Sequence, residues 1–271
     1  MSTCPDWLAR ARADACQPPR RARLPLLVDG FAVGSVEPEI FNEIVSQGIL
    51  GGRYKLSIQE RFASPAWCLE AAPGELTAAF DALAQALRTL GHCGPWRNEQ
   101  LAVCTAQGQC LGTIERGTVR VLGLATQAVH LVGLAPDGRM WVQQRAFNKP
   151  NNPGQWDTLM GGMVSAADTL HEALERETWE EAGLRLADLG LVEQGGPVDV
   201  ARPSREGGGT GYMRERIDWF RATVPAGMEP CNQDGEVERF ELLPPETLRQ
   251  WVEQGKFTQE ATLVLAACWG L

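Results

Sequence analysis

The sequence predicts a two-part α/β chain, a smaller α+β unit over residues 1–122 followed by a mixed-sheet α/β unit over residues 123–271. Three observations point there. The chain has 271 residues, 44% of them hydrophobic, enough for two packed cores. Short apolar runs broken by Asp-Gly turns alternate with segments of helical period. Residues 161–184, GGMVSAADTLHEALERETWEEAGL, place an acidic helix between glycines.

In chain order, residues 5–15 read as a helix. Residues 24–28 and 31–36 form a hairpin around Asp29 and Gly30, since Asp-Gly accepts the positive φ of a tight turn. Helices follow at 38–47 and 74–91. The segment GQCLGTIE at 108–115 repeats the pattern of GFAVGSVE at 30–37, which predicts two related hairpins flanking the helices; the match is short and identifies no chemistry. In the second unit, strands at 130–134 and 140–145 pair across Asp137 and Gly138. After the acidic helix, strands near 191–201, 214–223 and 237–243 complete a mixed sheet, closed by helices at 245–254 and 258–269. The glycine-rich loop ARPSREGGGTGY at 201–212 is either a cover for a bound molecule or a plain surface loop.

Composition narrows the function. A net charge of −9 argues against broad electrostatic binding to nucleic acid, while an anionic small molecule can still meet a local basic patch. Only Lys55, Lys149 and Lys256 are lysines, so nearly all positive charge is arginine, a bias that carries little mechanism by itself. The eight cysteines show no CXXC pair and no zinc-type spacing with the three histidines, so reduced thiols are expected. Arg10, Arg12, Arg20, Arg21 and Arg23 lie early but without the apolar core of a secretory signal, Asp6 and Asp14 count against a transit peptide, and no run approaches a membrane span. A cytoplasmic protein, monomeric or homodimeric, is the expectation.

The acidic helix carries the chemistry. Asp168 is placed to cap its start and Gly183 to stop it. Leu170, Ala173 and Leu174 form an apolar stripe whose continuation by three- and four-residue steps reaches Glu177, Glu180 and Glu181. Like charges so close repel, an arrangement that needs water or a divalent cation, and clustered hard oxygens suit Mg2+ or Mn2+. An isolated EXXEE is more often a solvated face; the glycines and Arg176 set this one apart.

From Gly162 onward the segment resembles the Nudix box, GX5EX7REUXEEXGU. Gly162, Arg176, Glu177, Glu180, Glu181, Gly183 and Leu184 match, while Asp168 stands where the family has glutamate and Thr178 where it has an aliphatic residue. At about 5–10% usage per residue type, chance gives such a match fewer than roughly once in ten million positions. The resemblance implies an α/β/α sandwich and metal-dependent cleavage of a diphosphate in a small-molecule substrate. It implies Glu177, Glu180, Glu181 and the Gly161 carbonyl as metal ligands, with a further carboxylate from Glu236 or Glu238. Arg176 would brace Asp168, whose arm is one methylene shorter, making the brace looser or water-bridged. Residues 23–44, 130–164 and 232–248 also resemble a Nudix subgroup in which an accessory domain precedes the catalytic one, implying hydrolysis of thiamine diphosphate or its oxidised analogues to the monophosphate. The box alone permits ADP-ribose or NADH equally well, and Asp168 leaves room for a catalytically silent sensor. An isopentenyl diphosphate isomerase is disfavoured because the cysteine expected before the box is absent from DTLMGGM. Arg145 and Lys149 are candidates to grip the diphosphate and Trp156 to stack on a heteroaromatic ring, with a core anchor as the alternative for Trp156. His171 reads as an exposed polar residue.

Overall fold

A computed structural model describes residues 4–61 and 64–271. The first unit comprises β1 (Leu24–Val28), β2 (Phe31–Val36), α2 (Pro38–Ser46), β3 (Lys55–Arg61), β4 (Ser64–Glu70), α3 (Leu76–Thr89), β5 (Gln100–Cys104) and β6 (Cys110–Glu115). A four-stranded sheet runs β2-β1-β4-β3, with β1 parallel to β4. Asp29 and Gly30 both take positive φ, 49° and 83°, and close the β1–β2 hairpin. Strands β5 and β6 form the second hairpin. The repeated glycine has one physical role in both hairpins. A Cβ at Gly34 would lie 2.3 Å from the Leu122 carbonyl oxygen, and one at Gly112 would lie 2.9 Å from Thr77 Oγ1 and 3.1 Å from the Phe80 ring. Trp67 meets Phe41 edge-on at 5.4 Å in the core beneath.

Strands β3 and β4 were not expected from the sequence. Lys55–Arg61 lies at a sheet edge and buries Leu56 while Ile58 stays exposed, so its apolar signal is weak.

The second unit comprises β7 (Ala125–Leu134), β8 (Met140–Arg145), β9 (Trp156–Asp157), β10 (Met160–Met163), α4 (Leu170–Ala182), β11 (Glu193–Pro203), a four-residue turn of helix α5 (Glu206–Gly209), β12 (Tyr212–Thr223), β13 (Val237–Leu243), α6 (Pro245–Glu253) and α7 (Gln259–Cys268). Its mixed sheet runs β11-β12-β7-β8-β13, with β7 parallel to β12, while β10 pairs with β7 and β9 with β8. One apolar core, including Leu159, Leu174 and Leu184, packs α4; a second, including Val142, Ile217 and Val264, packs α6 and α7. Helix α1 (Asp6–Ala15), at the start of the predicted first unit, packs on the second. Ala15 joins the core around α7, Trp7 meets Trp269 edge-on at 6.3 Å, and the Gln17 amide donates to the Ala201 carbonyl at 2.8 Å. The glycine-rich loop narrows to residues 204–211 and is anchored: Arg23 donates to the Thr210 carbonyl and Asn151 to Glu206 at 3.1 Å. No helix among the described residues is long and apolar enough to cross a membrane.

The units share their edges. Ala166 N–H donates to the Gln100 carbonyl at 2.7 Å, Met163 of β10 packs into the first unit's core, and Arg120 reaches Glu215 at 2.6 Å. Gly34→Ala, which drives a methyl into the backbone at Leu122, is expected to destabilise the chain by about 1–3 kcal/mol. A denaturant midpoint equal to that of the unsubstituted chain would contradict the close approach.

Candidate active site

Helix α4 is capped by Thr169, not by Asp168. The Thr169 hydroxyl accepts from Glu172 N–H at 3.3 Å and the Glu172 carboxylate accepts from Thr169 N–H at 2.7 Å, a reciprocal capping box whose TLHE signature is present in the sequence. This corrects the expectation for Asp168, whose carboxylate instead accepts from Arg176 Nε and Nη2 at 2.9 and 2.7 Å, with no water needed between them. Arg176 Nη1 also donates to Glu177 at 2.9 Å and to Glu180 at 3.0 Å, so one guanidinium ties three carboxylates. Thr178, where an aliphatic residue was expected, is buried and satisfied by donating to the Leu174 carbonyl at 2.6 Å. Gly183 takes φ 63° at the helix end, where a Cβ would lie 2.6 Å from the Cys231 carbonyl oxygen.

The other side of α4 presses on β10. A Cβ at Gly162 would lie 2.0 Å from the Glu177 carboxyl carbon, and one at Gly161 would lie 2.7 Å from the His130 ring. Both glycines are therefore steric requirements of the site. Glu177 is 9% exposed and Glu181 2%. Glu181 accepts from Gln143 Nε2 at 2.7 Å and from Gly161 N–H at 3.0 Å. Burial pushes the Glu177 carboxyl up to about 7 against the pull of Arg176, and pushes Glu181 up to about 8 with the charge of Glu177 adding to the rise.

Glu177, Glu181, Gly161 and Gly162 line a cleft with Arg145, Lys149 and Glu236. Glu180 lies outside it, half-exposed and held by Arg176. Glu236 pairs with Lys149, whereas Glu238 is exposed and lies outside the cleft, at a break in the β13–β8 register. Arg145 approaches Asp157 at 3.5 Å. Trp156 does not line the cleft. It is buried against Trp251 at 4.9 Å, so the ring-stacking expectation gives way to the core anchor. His171 is exposed. Among the described residues no three His, Cys, Asp or Glu side chains converge as a ready metal cage; Arg176 draws Glu177 and Glu180 together while Gln143 and Gly161 hold Glu181.

Sequence reasoning missed several cleft residues: Arg97, Arg116, Arg120, His130, Asp157, Glu215 and Glu260. Arg120 and Glu215 form a buried ion pair, joined by Thr126, and burial against Arg120 keeps the Glu215 carboxyl below the usual range despite desolvation. The arginines belong to no motif, and their nearness to the acidic helix is created only by the docking of the two units.

The raised carboxyls set a pH dependence. In the unfolded chain both glutamates titrate near 4.5; in the folded chain they titrate near 7 and 8. The folded state then binds more protons between these values, so its stability is fullest at low pH and declines as pH rises through 7–8. With divalent cations chelated, the melting midpoint should fall on the order of 5 °C from pH 5.5 to 8.5, and Glu181→Gln should flatten that fall. A midpoint that rises over this range would refute it.

A sequence profile described as NUDIX domain matches residues 125–261. Among curated proteins the chain is similar to Nudix hydrolase 24, chloroplastic, of Arabidopsis thaliana, 28% identical over 193 residues that cover 66% of this chain and 50% of the relative. It is 34% identical over 91 residues to the uncharacterized Nudix hydrolase PA4841 of Pseudomonas aeruginosa, covering 34% of this chain and 54% of the relative. It is also 32% identical over 151 residues to an isopentenyl-diphosphate Delta-isomerase of a Jannaschia species, covering 53% of this chain and 77% of the relative. The chain spans about half the length of the first two. The crystal structure of DR0079 from Deinococcus radiodurans shares the fold at a TM-score of 0.50 and 20% identity, covering 62% of this chain and 99% of that one. With the profile spanning half the chain and the box set between β10 and the end of α4, this protein belongs to the Nudix family.

Proposed function

We propose that this chain is a metal-dependent, cytoplasmic Nudix hydrolase that cleaves a diphosphate linkage, with thiamine diphosphate or its oxidised analogues as substrate and the monophosphate plus phosphate as products. The observation that carries this reading is the burial of Glu177 and Glu181 side by side in a cleft that also presents arginine and lysine. Two neighbouring carboxylates driven toward protonation by desolvation offer hard oxygen ligands that fit a divalent cation such as Mg2+ or Mn2+. Glu177, Glu181 and the Gly161 carbonyl would hold it, with Glu180 released from Arg176 or Glu236 released from Lys149 completing the set. When bound, the cation neutralises phosphate oxygens and acidifies water.

The chain's own residues supply the rest. Arg145 and Lys149 would bind phosphate oxygens in exchange for their present carboxylate partners. Gln143 and Gly161 N–H orient the Glu181 carboxylate, which would take a proton from attacking water. Asp157, Glu215 and Glu260 also line the cleft, each paired with an arginine: Arg145, Arg120 and Arg202. The alignment with Nudix hydrolase 24 covers more of the chain than the family domain does, in keeping with a shared accessory unit. His130 is the only aromatic ring that lines the cleft among the described residues, so recognition rests on charge and hydrogen bonds. No cysteine lines it either, which supports a hydrolase over the isomerase chemistry named for one relative.

Mass-spectrometric product analysis after incubation with Mg2+ and thiamine diphosphate, its oxo and oxy analogues, ADP-ribose and NADH tests this reading. Thiamine monophosphate or an analogue monophosphate is the expected main product. Preferential AMP would move the substrate to nucleotide derivatives, and binding without turnover would make the chain a sensor. Glu181→Gln should lower turnover by roughly 10²–10⁴-fold, the contribution of a positioned proton acceptor, while the circular dichroism spectrum is unchanged. Full activity in a folded variant would remove Glu181 from the mechanism.

A further inference from the structure

Five cationic side chains line the cleft, and three of them, Arg97, Arg116 and Arg120, come from before residue 123. Their commitments differ. Arg120 is neutralised by Glu215 at 2.6 Å, Lys149 is paired with Glu236, and Arg145 approaches Asp157. Arg97 makes no side-chain hydrogen bond or ion pair among the described residues, although its charge acts on Glu236. Arg116 donates through Nη1 to Glu99 at 2.7 Å, leaving Nη2 and Nε without a protein partner among the described residues. Arg97, from the first unit, is thus the one cleft cation without a side-chain partner among the described residues.

The local structure that presents these two arginines is built for rigidity. Glu115, 1% exposed at the end of β6, accepts from Arg97 N–H at 2.7 Å and from Gly117 N–H at 3.2 Å, joining the two backbone segments that carry Arg97 and Arg116. Arg116 N–H donates to the Glu99 carbonyl at 2.8 Å. A Cβ at Gly117 would lie 2.8 Å from the Pro95 carbonyl oxygen, so the two backbone segments pack with no side chain between them. Arg97 and Arg116 thus stand on a fixed platform beside Glu177 and Glu236, at which the Arg116 charge also acts.

We infer that Arg97 and Arg116 form an anion subsite for the substrate's diphosphate, so that the first unit is a substrate-binding part of the active site. This deepens the hydrolase reading and rests on it. Lys149, expected from the sequence to grip the diphosphate, would have to leave Glu236 first, and Arg145 is shared between Asp157 and the Asn151 carbonyl with its Nε buried and unpartnered, whereas Arg97 has no partner to leave and Arg116 keeps two donor nitrogens. The subsite recognises phosphate oxygens and is indifferent to the organic group.

The test is isothermal calorimetry of the full chain with methylenediphosphonate, a diphosphate that is not hydrolysed, in the presence of Mg2+, alongside KM for the best substrate. Arg97→Gln and Arg116→Gln should each weaken binding and raise KM by about tenfold or more, as expected for loss of a charge-assisted hydrogen bond. Arg53→Gln removes the same charge from an exposed pair with Glu75 on the same unit, away from the cleft, and should bind as the unsubstituted chain does. Because Arg97 is exposed, its variant decides the matter even if Arg116→Gln fails to fold. Binding unchanged by Arg97→Gln, or weakened equally by Arg53→Gln, overturns the subsite and leaves the hydrolase reading standing. An unsubstituted chain that neither binds nor cleaves any diphosphate overturns both.

Discussion

Helix α4 approaches β10 so closely that the space a side chain would occupy at 162 is filled by the Glu177 carboxyl, while on the neighbouring residue 161 a Cβ would meet the His130 ring of β7. That approach also brings Glu181, one helical turn further on, against the Gly161 N–H. Two acidic groups are thereby withdrawn from water by backbone geometry alone. Burial of a carboxylate favours its neutral form, and each buried charge makes the next more costly. The fold tolerates this through partial compensation: Arg176 on Glu177, and Gln143 with a backbone amide on Glu181. The Gln143 carbonyl oxygen remains buried without a partner, a sign that the amide is held for what its nitrogen does.

The aspartate at 168 acquires its meaning from the capping residues beside it. Had Asp168 capped the helix, its carboxylate would have been directed to backbone amides and Arg176 would have lost its anchor. Thr169 and Glu172 satisfy the helix start instead. Asp168 then sits one residue outside, close enough for its shorter arm to reach two guanidinium nitrogens directly. Arg176 can consequently face both ways, toward the loop and toward the glutamates, and the departure from the family pattern leaves the brace in place.

Legibility followed the range of the interactions. Hairpin β1–β2, α2, α3, β8, α6 and α7 were readable because local signals define them, such as the Asp29-Gly30 turn and the prolines at the starts of α2 and α6. The box helix was readable from spacing, although its capping residue was misassigned by one position. Strands β9 and β10, of two and four residues, are too short to show a period. Trp156 illustrates the limit for side chains: an aromatic residue near a motif carries the same signal whether it faces a ligand or packs on Trp251. Arg97 and Arg116 were hidden for a related reason. In an arginine-rich chain with three lysines, only tertiary placement distinguishes a cleft cation from a surface one.

That placement depends on how the two units dock, and the docking leaves little freedom. A rearrangement separating Arg120 from Glu215 would strand an uncompensated buried charge, costing roughly 3–5 kcal/mol. It would also break the Ala166 to Gln100 backbone bond and pull Met163, on the strand that carries both box glycines, out of the first unit's core. Each of these contacts lies within a few residues of the cleft in sequence. The position of Arg116 relative to Glu177 is therefore set when the chain folds, before any substrate arrives, and the cleft is preorganised by the junction between its units as much as by the helix that bears its glutamates.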